Sequence, residues 1–144
     1  MEQKRYLTGS RAFFYGMDGF NPHDTDVVDF NPKMHHAMSQ INNEEGVTVF
    51  RFKMDKAADI IDFFLQWPNP ASQVCCLLVP DIAERVGMTV EDLPRLRPLI
   101  DALDERHKYI ADIYEAYVKN NAFKLYKYQR EKAFKTYLAA RKKE

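Results

Sequence analysis

The stretch TGSRAFFYGMDGFNPHDTDVVDF, Thr8 to Phe30, decides how the chain is read. It sets a Gly-Ser pair, Gly9 and Ser10, ahead of an Asp-x-Asp, Asp24 and Asp26, that runs directly into Val27 and Val28. Side chains of a strand alternate with period two, so a strand carrying both acids points both carboxylates to one face. Like charges held that close repel, and they stay ionised only where solvent or a cation neutralises them. A hard divalent cation with oxygen ligands, above all Mg²⁺, suits such a pair.

Outward from this stretch the pattern is mixed. Glu2 to Thr8 reads as a short lead-in strand, and Arg11 to Tyr15 as about one helical turn before Gly16 and Gly19 break it. Asn21-Pro22-His23 is turn chemistry, and Thr25 to Phe30 has the β-branched and aromatic content of a strand. A helix is expected over Lys33 to Asn42, then a turn from Asn42 to Gly46, then the strongest strand pattern of the chain, Val47 to Phe52.

From Asp55 the period becomes helical, with Ala58, Ile61, Phe64 and Leu65 on one face up to Trp67-Pro68, and Asn69-Pro70 opens a linker. Pro80 to Val86 reads as a short helix closed by Gly87, and Thr89 to Asp92 as a capping box opening a helix over Leu93 to Leu103. Asp104 to Lys119 and Phe123 to Arg141 read as a helical hairpin turning at Asn120-Asn121. Its apolar stripes are Ile110, Ile113, Tyr114 and Tyr117 on one helix and Phe123, Tyr126, Ala133, Phe134 and Tyr137 on the other. The expected class is α+β: a small mixed sheet with a helical C-terminal region, in a single domain over residues 1–144. Within it, residues 1–54 make up the α/β section and residues 55–144 the helical section.

Composition bounds the function. Apolar content is 46%, and 21 Lys and Arg match 21 Asp and Glu, which is globular composition rather than that of a disordered chain. The longest apolar runs, such as Val74 to Val79, fall far short of the roughly 20 residues that cross a bilayer. Met1 to Arg5 does not lead into a signal-peptide core, so no membrane partner is expected. Cys75 and Cys76 are adjacent, poorly placed to bridge each other, and no second pair completes a zinc site, which fits a reducing, cytoplasmic setting. Residues 104–144 hold eleven Lys and Arg against six Asp and Glu, a balance of +5, and residues 1–103 therefore carry −5. The basic tail is either a solvated helix face or a surface that steers a phosphate-bearing partner.

A strand ending in Gly-Ser, a short helix and then Asp-x-Asp at the head of a strand resembles the polymerase-β-like nucleotidyltransferases, especially the small bacterial minimal ones. The resemblance covers roughly residues 5 to 53. It implies that Gly9 and Ser10, with Arg11 beside them, cradle the nucleotide phosphates, since glycine lets backbone approach an anion and a helix start presents free N–H groups. It implies that Asp24 and Asp26 hold Mg²⁺ or Mn²⁺ and are the catalytic acids, with an NTP as substrate and an unknown acceptor, protein or RNA. The family's third carboxylate comes from a neighbouring strand; here Thr48 stands at that place in Val47-Thr48-Val49-Phe50. Asp29, at odd spacing, should face away from the pair, and Glu44 and Glu45 precede the second strand.

Three functions follow from these readings: transfer of an NMP from NTP to an acceptor, a catalytically reduced member of the fold that binds a nucleotide without turnover, and a small interaction protein using its basic C-terminal hairpin. His23 is either a turn residue or a phosphate contact. His35 and His36, neighbours on the expected helix, diverge by about 100° and do not share a metal.

Overall fold

The two β-branched runs that flank Lys33 to Gly46 become neighbouring strands. In the computed structural model, which describes residues 4–22, 24–42, 45–66 and 71–142, the chain is α+β. Strands β1 (Tyr6–Thr8), β2 (Thr25–Phe30), β3 (Met38–Asn42) and β4 (Val47–Phe52) form one mixed sheet in the order β1-β2-β4-β3. β2 and β4 run parallel, Asp26 opposite Thr48 and Val28 opposite Phe50, and the outer strands β1 and β3 are antiparallel to them. His23, Asn43 and Glu44 of the expected turns, Trp67 to Pro70 with the linker, and Glu2 and Gln3 of the lead-in strand lie outside the described residues.

The helix expected over Lys33 to Asn42 does not form. Asn31 starts a turn instead: its side-chain oxygen accepts the Lys33 N–H at 3.0 Å and its carbonyl accepts the Met34 N–H at 3.3 Å. Met38–Asn42 then pairs along the open edge of β4. Met34, Ala37, Met38 and Ile41 carry helical spacing, but the edge of β4 satisfies the backbone groups of Met38–Asn42, so tertiary pairing overrides local preference. His35 and His36 accordingly lie in a bend rather than on a helix.

Helices cover one face of the sheet. They are α1 (Gly9–Phe14), α2 (Ala57–Gln66), α3 (Pro80–Val86), α4 (Arg97–Asp101), α5 (Lys108–Asn120) and α6 (Lys127–Lys142). Single 3₁₀ segments span Ala71–Leu78 and Val90–Leu96. The helix expected over Leu93 to Leu103 is split, because Pro94 and Pro98 each remove a backbone donor; the 3₁₀ segment passes into α4 at Arg97. The capping box at Thr89 and Asp92 and the left-handed Gly87 at the end of α3 form as read. Val74 to Val79 are buried and join Val28, Phe52, Ile61 and Phe64 in one core. Asn121, φ 54°, turns α5 into the loop that leads to α6.

Two features tie the last helix to the first. Phe14, fully buried, meets the rings of Phe134 and Tyr137 at 5.2 Å each and Tyr109 at 5.3 Å. Arg130 of α6 donates from Nε to the Phe13 carbonyl at 2.7 Å and from Nη2 to the Tyr15 carbonyl at 2.5 Å. Those carbonyls end α1 and have no helical partner of their own, so the guanidinium caps that helix and seats α6 against it.

Candidate functional site

Asp24 and Asp26 open onto a cleft of about 420 Å³ whose walls come from both ends of the chain. Ser10 of α1, Asp24, Asp26 of β2 and Thr48 of β4 line it. Asn21 and Pro22 of the preceding loop and Tyr137 and Arg141 of α6 line it as well. The alternation of β2 places Asp26 on the helix-bearing face with Val28, while the parallel pairing brings Thr48 directly beside it.

The half-buried Asp26 looks inward as well, over a cavity of about 20 Å³ that it shares with Thr8, Phe52 and Cys75. Burial, and next the negative charge of Asp24, push the Asp26 carboxyl above its usual range. Such a carboxylate is under-neutralised by its surroundings, and a bound cation would relieve it. Asp24 and Asp26 are the cleft residues whose carboxylate oxygens could hold a hard cation. No group of three His, Cys, Asp or Glu side chains gathers among the described residues.

Gly9 stands behind Asp26. Its φ is +71°, a left-handed conformation that disfavours other residues, and a Cβ built there would lie 3.0 Å from Asp26 Oδ2. Glycine is thus required twice over, by the turn from β1 into α1 and by the close approach of the carboxylate. Arg11 is not among the lining residues; it is half-buried on α1, and its Nε is enclosed without a hydrogen-bond partner.

Thr48, at the position where a third acid is expected, pairs with Asp26 and lines the cleft. Its hydroxyl donates to Asn42 Oδ1 at 3.0 Å, across the β3–β4 pairing. Asp29 is turned to the opposite face, fully buried, and accepts from Arg51 Nε and Nη2 at 2.8 and 2.9 Å with Arg5 at 3.8 Å. Glu45 is exposed and is not among the lining residues. The cysteines take no part in the cleft: Cys75 is buried with its thiol pushed up to about 11, chiefly by burial, and meets the Thr8 hydroxyl at 3.8 Å.

Tyr137 and Arg141 are not legible in the sequence as site residues. Tyr137 reads as one more member of an apolar stripe and Arg141 as one more charge in a basic tail; only the docking of α6 on α1 brings them to the acids.

No family model matches the chain, and no curated protein or solved structure matches it.

Proposed function

We propose that the cleft takes a nucleoside triphosphate with Mg²⁺ or Mn²⁺, and that the sheet is of nucleotidyltransferase type, moving a nucleoside monophosphate to an acceptor hydroxyl on protein or RNA. The observation that carries this reading is the convergence of Ser10, Asp24, Asp26 and Thr48 on one cleft, with Gly9 packed against the Asp26 carboxylate. Asp24 and Asp26 would hold the cation, which when bound neutralises phosphate charge and polarises the reacting phosphoryl group. The Ser10 hydroxyl, which lines the same cleft, offers a donor to a phosphate oxygen. In the transfer, the acceptor oxygen bonds to the α-phosphorus, the α–β bridging bond breaks, pyrophosphate leaves, and the hydroxyl proton passes to solvent water.

A second reading, binding without transfer, is favoured by Thr48. A threonine hydroxyl already donating to Asn42 is no base at neutral pH, and general-base assistance is typically worth 10²- to 10⁴-fold in rate. The same cleft would then hold the nucleotide and leave it intact.

The test is incubation with each α-labelled NTP, Mg²⁺ or Mn²⁺ and RNA or protein acceptors, alongside thermal melts with and without NTP and cation. The proposal expects ligand-dependent stabilisation, about 2.7 kcal/mol at a hundredfold excess over Kd, that Asp24→Asn and Asp26→Asn remove. Labelling by the wild type supports transfer. Labelling only by Thr48→Asp supports the reduced form, and a wild type indifferent to cation and NTP together returns the chain to the interaction-protein reading.

A further inference from the structure

We infer that Arg141 is a phosphate-binding residue of this cleft, holding the polyphosphate end of the nucleotide from α6; the inference rests on the nucleotide reading above. A triphosphate carries more negative charge than one divalent cation beside two carboxylates neutralises, so the cleft needs a further cationic donor. Arg141 is the cationic side chain among those lining it.

Among the described residues no carboxylate or carbonyl takes its donors. Arg5 and Arg51 are paired with Asp29, Arg85 with Asp55, Arg95 with Asp62 and Arg97 with Asp101, and Arg130 is engaged by the carbonyls of α1. Among the described residues Arg141 has no ion-pair partner. What it has is a support: its guanidinium lies 4.6 Å over the ring of Tyr137, one helical turn earlier. That ring is buried and packed at 5.2 Å on Phe14 and 5.4 Å on Tyr109, so the platform is fixed by the core.

A planar guanidinium stacked on an aromatic face keeps its N–H edge free for bidentate bonding to phosphate oxygens. Lysine reproduces the charge but neither the stacking nor the fork. The position agrees with the charge, because Arg141 sits in the last turn of the 16-residue α6, where the helix dipole favours a cation.

The experiment is isothermal titration of the wild type, Arg141→Gln and Arg141→Lys with each NTP, the matching NMP and tripolyphosphate, all with Mg²⁺. Arg141 is exposed, so the substitutions leave the fold intact, which melting without ligand checks. The expected result is that the wild type binds NTP more tightly than NMP and that tripolyphosphate competes. Arg141→Gln should then lose about 10- to 100-fold for NTP while NMP affinity stays unchanged, with Arg141→Lys in between. Equal NTP affinity in wild type and Arg141→Gln overturns the role of Arg141 and leaves the cleft reading standing. A wild type that binds neither NTP nor tripolyphosphate overturns both.

Discussion

Half-burial and the charge of Asp24 together leave the Asp26 carboxyl readier to hold a proton in the folded chain than in the unfolded one. A raised folded pKa means that ionisation opposes folding: the group's contribution is fully present below the unfolded value near pH 4 and is lost as pH rises through the folded value. Asp26→Asn should therefore raise Tm at pH 7 in the absence of divalent cations, by about 2–4 °C for each kcal/mol relieved, and flatten the fall of Tm across mildly acidic pH. Mg²⁺ should raise the wild-type Tm and leave that of the variant unmoved. Melts from pH 4 to 8 with and without Mg²⁺ check both, and a variant no more stable than wild type at pH 7 contradicts the burial argument. Gly9 gives a second handle. Gly9→Ala adds left-handed strain of about 1–2 kcal/mol and a methyl group 3.0 Å from Asp26 Oδ2, so it should lose both stability and the Mg²⁺ response. Gly16→Ala is the control: φ is +82° and nothing lies within 4 Å of its Cβ position, so stability falls while the Mg²⁺ response stays.

Among elements, the strands are legible wherever alternation and β-branching coincide. Thr25–Phe30 and Val47–Phe52 are bounded as their composition predicts. Met38–Asn42 is not legible, since its strand character comes from the edge of β4 rather than from its own residues. The odd spacing of Asp29 is informative: it predicts the far face, and there the carboxylate joins Arg5 of the segment before β1 to Arg51 of β4 across β2. Removing the buried Asp29 carboxylate takes two charge-assisted hydrogen bonds from Arg51, whose guanidinium keeps access to water, at a cost of about 1.5–3 kcal/mol. Asp29→Asn should lower stability by that order in denaturant melts, and NTP binding per folded molecule should be retained because the cleft is on the other face. Loss of binding with unchanged stability would instead place Asp29 in the site. Arg51 follows the same pair, its pKa raised first by the hydrogen bond to Asp29.

At the scale of the whole molecule, the cleft is closed by a helix that no local reading connects to it. The acid pair, the Gly-Ser turn and the Thr48 position are carried by neighbouring residues and strands, so spacing alone reaches them. Tyr137 and Arg141 arrive through the packing of Phe14 on Phe134 and Tyr137 and through the cap that Arg130 places on α1. The Arg130 cap lies outside the lining of the cleft, which makes it separable from the site. Arg130→Ala removes two charge-assisted hydrogen bonds and leaves the end of α1 uncapped, which should lower stability by about 2–3 kcal/mol. With α6 less firmly seated, Arg141 is no longer held over the cleft, so NTP affinity should fall toward that of NMP. The cation response should survive, because Asp24 and Asp26 stand on β2 and on the residues just before it and do not depend on α6. Titration with NTP and NMP, set beside melts with Mg²⁺ alone, reads the two effects apart. Loss of NTP affinity with the Mg²⁺ shift intact is the expected outcome; loss of both together would mean that α6 supports the strand acids as well, and loss of neither would mean that it does not close the cleft.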